Sequence, residues 1–220
     1  MAVLGVQMIV RFDKVSSHGG LRDISLSLDL NRVTRIYDPS GNLGGKILAA
    51  IAGLDEIYEG EIYFDTQPLE TFIKDGPQIR KLGYVFDEGI MLSNLSLKEN
   101  LFLPLRWLDP ELDEGETDEL IDSWMDAFEL DLDLKKRPVV YRPGQLKLLG
   151  FVRTLLIAPK VLLLDDPFYL LNKNERAVLY RSLLRLRASY PMLIASLDDE
   201  FGPGFSDTQV DLSRHQENFE

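Results

Sequence analysis

The stretch YDPSGNLGGKILAAIAGL, residues 37–54, decides how the rest of the chain is read. RVTRIYD (32–38) is a hydrophobic strand that enters a glycine-rich turn, and KILAAIAGL continues as a small-residue helix that Gly53 should close. That is the outline of a phosphate-binding loop. Such a loop reads G-x-x-x-x-G-K-[ST]: backbone N–H groups cradle phosphates, a lysine reaches the β- and γ-phosphates, and a hydroxyl holds Mg²⁺. The only lysine here is Lys46, and counting back from it puts Ser40 at the leading glycine and Ile47 at the hydroxyl, so the pattern fails at both ends. A glycine turn between strand and helix is common. Alone, the stretch leaves open both a chance turn and an altered nucleotide loop.

Composition sets outer limits. With 220 residues, 45% of them hydrophobic, the chain can bury one large α/β core with a small subdomain. No run approaches the ~18 apolar residues of a membrane-spanning helix, and the first residues lack the order of a secretory signal. The chain is therefore expected to be soluble and cytoplasmic. It has no cysteine, which excludes disulfides and thiolate metal sites, and His18 and His215 are too far apart in sequence to suggest a zinc site. The net charge of −12 argues against nucleic acid, or an anionic membrane surface, as an electrostatic partner. Any membrane link should run through another protein.

Outward from the glycine turn, MIVRFDKV (8–15) and LRDISLSLDL (21–30) alternate at period two and read as a hairpin around SSHGG. EGEIYFDT (59–66) reads as another strand. LGYVFD (82–87), VLLLDD (161–166) and PMLIASLD (191–198) read as buried strands of a parallel sheet. Between them the pattern is mostly helical. SLKENLFLPLRWL (96–108), the acidic DPELDEGETDEL (109–120) and the amphipathic IDSWMDAFEL (121–130) suggest a separate helical subdomain. PGQLKLLGFVRTLLI (143–157) and NERAVLYRSLLRLR (174–187) follow, with Asn172 and Glu175 at the spacing of a helix cap. There are no repeats or long linkers, and with only SDTQVDL (206–212) and a polar tail remaining, no C-terminal regulatory domain is expected.

In this order the segments resemble the nucleotide-binding subunit of an ATP-binding-cassette (ABC) transporter over nearly the whole chain. In that family the loop runs GPSGSGKSTLL and on to an AGL-like triplet; DPSGNLGGKIL runs to AGL here with the same spacing. The ungapped register puts Asp38 at the first glycine, Gly44 at the lysine, Gly45 at the Mg²⁺-binding serine and Lys46 at the threonine after it. Ser40 and Gly41 keep their family identities. Lys46 is two residues late, and on a helix two residues rotate a side chain by roughly 200°, so it should point away from the phosphates. The resemblance thus implies a nucleotide loop that has lost its cation.

The other family motifs are similar but altered. GYVFDEGIMLSNLSLKENLFLPL (83–105) resembles the Q-loop region, with Asp87 where a glutamine contacts Mg²⁺ and water. YRPGQ (141–145) stands at the LSGGQ signature. Arg142 replaces the serine hydroxyl, Pro143 removes an N–H donor, and Gly144 and Gln145 are retained to face a partner subunit's ATP. In VLLLDD, Asp165 stands at the Mg²⁺-coordinating position and Asp166 where a glutamate would polarise water. Asp166 is one methylene shorter than that glutamate, and a misplacement of ~1 Å can cost on the order of a hundredfold in rate. Leu171-Asn172 stands at the D-loop, and Leu197 occupies the switch-histidine position. LSNLSLKENLFLPLRWL (92–108) resembles the ATPases of lipid-asymmetry systems, which work with a permease and an MCE-type substrate-binding protein; cell-division and lipoprotein-export ABC subunits have similar segments.

Plainer readings accompany these. Asp165-Asp166 alone would be a polar strand end, Asn172 with Glu175 is a helix cap whatever else it does, His18 is a solvated turn residue rather than an adenine platform, and residues 109–119 form a solvated acidic face. Taken together, the expectation is one α/β ABC-type P-loop NTPase (RecA-like) domain over residues 1–220. It has an N-terminal antiparallel β subdomain and an α-helical subdomain at about residues 88–150. The expected protein is a pseudo-ATPase with weak or absent binding of ATP and Mg²⁺, in a homo- or heterodimer. It docks on an integral-membrane permease at the cytoplasmic face of the inner membrane, through a groove lined by Ile90, Met91, Leu92 and Leu95. An active ATPase and a non-transport ABC protein are the alternatives.

Overall fold

Alternating apolar residues near the N-terminus build the first sheet, in a computed structural model that describes residues 8–39, 41, 43–74, 81–197, 201–202 and 204–213. Strands β1 (Ile9–Ser17) and β2 (Ile24–Asp29) pair antiparallel, with Val10 opposite Leu28 and Phe12 opposite Leu26. The predicted hairpin is present. On its other side β1 pairs with β4 (Ile57–Phe64), which turns into the short β5 (Gln67–Pro68), giving the order β2-β1-β4-β5. Val10, Phe12, Ile62 and Phe64 point inward. Helix α2 (Leu69–Lys74) lays Phe72 flat on Phe64 at 3.9 Å between ring centroids. Neither β5 nor α2 was anticipated, since elements this short carry no readable period.

The second sheet is wholly parallel: β3 (Val33–Tyr37), β6 (Leu82–Val85), β7 (Val161–Asp165), β8 (Met192–Ser196) and β9 (Thr208–Asp211), in the order β6-β7-β8-β3-β9. Its central strands are buried on both faces, which is why they read as continuous apolar runs. Helix α1 (Gly44–Ile51) buries Ile47, Leu48 and Ile51 against β7 and β8. It ends as expected: Gly53, at φ +66°, donates to the Ala50 carbonyl while Leu54 donates to Ala49, which satisfies the last carbonyls.

Helices α3 (Leu97–Leu108), α4 (Glu114–Ala127) and α5 (Pro143–Leu156) pack together through Leu101, Phe102, Ile121, Met125, Phe128 and Phe151. Each such side chain contributes roughly 1.5–3 kcal/mol by its burial. Helix α3 starts with a capping box in which Ser96 Oγ accepts the Glu99 N–H and Glu99 accepts the Ser96 N–H. The acidic run and the Trp124 segment, read as two pieces, form the single helix α4. Asp113 caps it by accepting from Gly115 and Glu116. Helix α6 (Lys173–Leu186) starts on the predicted cap: Asn172 accepts from Asn174 and Glu175, and Glu175 accepts from Asn172.

Candidate functional site

In an open parallel sheet, ligands bind in the crevice outside the carboxyl ends of the strands. Here β3 leads into Asp38, β6 into Asp87 and Glu88, β7 ends in Asp165 and Asp166, and β8 ends in Ser196 and Leu197. With Gly41, Gly44, Gly45 and Lys46 they line one cavity of about 470 Å³. The register reasoning therefore gathered side chains that the structure brings together. Ser40 lies outside the described residues.

The turn is organised around Asp38. Its side chain is buried, and Oδ2 accepts the backbone N–H groups of Leu43 at 2.7 Å and Gly44 at 2.9 Å. Gly41 adopts φ +69°, a conformation glycine reaches without strain, and a Cβ there would lie 2.6 Å from the Leu197 side chain. Leu197 thus packs directly on the turn. A Cβ at Gly44 would stand 3.0 Å from that of Ala195, and one at Gly45 would stand 2.8 Å from an Asp165 oxygen. The Lys46 ammonium leans back toward Gly20 in the β1–β2 turn, 2.9 Å from where a Cβ on that glycine would be.

The cavity floor carries the remaining charge. Tyr84 donates its hydroxyl to Asp165 at 2.9 Å. Burial pushes the Asp165 carboxyl above its usual range, with the Tyr84 bond opposing, and burial followed by the Asp165 charge pushes the Tyr84 phenol up. Asp166 sits at φ +34°, with its N–H on the Ala195 carbonyl. Beneath them Lys147 of α5 is fully buried, and its Nζ donates to the carbonyls of Asp87 (2.7 Å), Asp166 (3.0 Å) and Asp165 (3.1 Å). Burial lowers its pKa to about 8 against the pull of the nearby carboxylates Asp166, Asp87 and Asp165. The sequence reading missed Lys147; the available signal was one lysine inside the apolar run of α5.

Arg142, Gly144 and Gln145 stand apart from this cavity, at the start of α5. Arg142 forms an ion pair with Glu175 at 2.9 Å, and its backbone N–H is accepted by Gln145 Oε1. Glu175 also presses on Gly144, leaving no room there for a Cβ. The residue expected to face a partner subunit is thus paired within its own chain.

A second, apolar cavity of about 530 Å³ opens between the parallel sheet and α3, lined by Leu54, Tyr84, Phe86, Leu103, Trp107 and Arg153 among others. Leu54, Leu103 and Trp107 are 60%, 50% and 69% exposed. Ile90, Met91, Leu92 and Leu95, expected to line a docking groove, are not among the residues lining this cavity; Ile90 and Leu92 are exposed, and Met91 packs on the core with its sulfur 3.5 Å from Arg153 at the cavity wall. The cause is Asn100, whose side chain accepts from the Leu92 N–H and donates to the Leu92 and Ser96 carbonyls, folding that segment over the start of α3.

A parallel sheet converging on a glycine turn, flanked by an antiparallel sheet and a helical group, is the cassette form of the P-loop NTPase fold. The dimeric post-hydrolysis structure of the ATP-binding cassette MJ0796 with ADP and Pi has this fold, with a TM-score of 0.78 at 20% identity over 92% of this chain and 93% of that one. The family model for ABC transporters matches residues 21–169, more than half of the chain, and the chain belongs to that family. Similar curated proteins include a sulfate/thiosulfate import ATP-binding protein, CysA 2, of Agrobacterium fabrum, 29% identical over 77% of this chain and 49% of that protein. A molybdenum import ATP-binding protein, ModC, of Pseudomonas fluorescens is 30% identical over 78% of this chain and 49% of that protein. The chain spans about half the length of these curated relatives. Among the described residues, no helix is long and apolar enough to cross a membrane.

Proposed function

We propose that this chain is a cassette subunit of an ABC transporter in which nucleotide chemistry is reduced and docking to an integral-membrane permease is retained. One observation carries the reading: the cavity at the glycine turn presents Asp38, Asp87, Glu88, Asp165 and Asp166 against Lys46 as the cation among its described lining residues, with glycines at 44 and 45 where a cation and a hydroxyl would stand. MgATP does not fit this lining. Like charges about 4 Å apart repel by roughly 4 kcal/mol each at an effective dielectric constant near 20, and the buried Lys147 turns its donors to backbone carbonyls instead of the cavity. Asp165, at the family's Mg²⁺-coordinating position, already accepts from Tyr84. No hydrolytic step is assigned to Asp166 or to the Leu197 position.

The proposed unit is a single cassette, residues 1–220, with its helical subdomain at about 88–150. It would act as a homo- or heterodimer at the cytoplasmic face of the inner membrane. An import system is supported by the names of the sulfate and molybdenum relatives. Lipid transport with an MCE-type partner is supported only by residues 92–108.

Two measurements test the reading. Calorimetric titration of the purified protein is expected to give a dissociation constant for MgATP weaker than about 1 mM, ~4 kcal/mol of binding free energy; low-micromolar binding would favour the active-ATPase alternative. The apolar groove is the proposed seat of the permease helix. Trp107→Glu with Leu103→Glu is expected to abolish co-purification with the permease while changing stability by under about 1 kcal/mol, since both side chains are largely exposed. Undiminished capture of the permease by the folded double variant would remove the groove from the proposal.

A further inference from the structure

We propose that Asp38 is a resident anion: its carboxylate occupies the backbone cradle in which a phosphate would otherwise bind, so the turn is assembled and closed without a ligand. This rests on the proposed function only for identifying the turn as a nucleotide loop. The donors in question are the N–H groups of Leu43 and Gly44, at the entrance to α1, and both are directed at Asp38 Oδ2. Helix-entry N–H groups and the helix dipole favour an anion at this place, and bonds to a carboxylate are the strong, charge-assisted kind. A phosphate must therefore displace an anion that is already bonded, buried and tethered by its own backbone.

Two further features fix the turn beside the carboxylate. Asp38 also fixes the turn through its main chain, its carbonyl accepting the Gly41 N–H at 3.0 Å. Leu197 lies against Gly41, so an apolar side chain covers the turn on the side where the sheet ends. The intramolecular anion is always present at high effective concentration, whereas free phosphate pays the full cost of association. Asp38 is accordingly a positioning residue and an internal competitor, and its loss should create an anion site that the native chain withholds.

The test uses pyrophosphate, without metal, as the probe. In the native protein the amide resonances of Leu43 and Gly44 are expected to stay in place on addition of millimolar pyrophosphate; shifts confined to those amides would overturn the inference, whatever any variant does. Asp38→Gly is expected to bind pyrophosphate at least about tenfold more tightly than the native chain, because two vacated donors and a helix entrance become available. A folded Asp38→Gly protein with native-like affinity would equally overturn it. Neither failure bears on permease capture by the groove, so the proposed function stands or falls separately.

Discussion

Lys147→Ala is expected to destabilise the protein by about 3 kcal/mol, seen as a lower urea midpoint at unchanged slope. The ammonium donates to three carbonyls at the ends of β6 and β7, and hydrogen bonds to a charged group contribute roughly 1.5–3 kcal/mol each before its burial is counted. Burying the ammonium opposes this, as its lowered pKa of about 8 records. Truncation relieves that burial but removes the ammonium donor from the carbonyls of Asp87, Asp165 and Asp166, of which Asp166 keeps the Tyr169 N–H, and opens a cavity in α5's packing. Removing one partner of a buried charged arrangement is the costly half of the exchange. Lys147→Met separates the contributions: it keeps the stem volume and loses only the donors, so it should fall between alanine and the native chain. An alanine variant with the native midpoint would mean that water reaches these carbonyls.

The strands and the glycine turn were legible because their signals are local. VLLLDD and LIAS are continuous apolar runs, and the Asn172–Glu175 cap follows from spacing alone. The polar cavity was legible for a different reason: register against a family pattern places Asp38, Asp87, Asp165 and Leu197 together. What could not be read were contacts between distant segments through backbone atoms. Lys147 meets carbonyls on two strand ends, Arg142 finds Glu175 across two helices, and Asn100 ties Leu92 and Ser96 to the start of α3. No periodicity encodes such choices. Nor does sequence show that Asp38 turns its carboxylate onto the following N–H groups.

Gly89→Ala is expected to cost about 2–3 kcal/mol and, if the proposed docking holds, to weaken capture of the permease as well. Gly89 lies against the main chain of α5 so closely that a Cβ would collide with the Leu146 carbonyl and the Lys147 N–H. Main chain cannot rotate out of the way as a side chain can, so either α5 or the 86–89 segment must move, and overpacking of this kind typically costs ~1–3 kcal/mol. The movement has two directions of consequence. Phe86 lines the apolar groove while Asp87 and Glu88 line the polar cavity, so one short segment borders both sites. Lys147 bonds to the Asp87 carbonyl from the helix that Gly89 touches, which fixes the segment from a second point. Displacing Gly89 should lengthen that bond, so the two substitutions should not add: a double-mutant cycle with Lys147→Met is expected to show a coupling of about 0.5–3 kcal/mol. Strict additivity, with native permease capture by Gly89→Ala, would show that the groove is indifferent to the joint between segment 86–89 and α5.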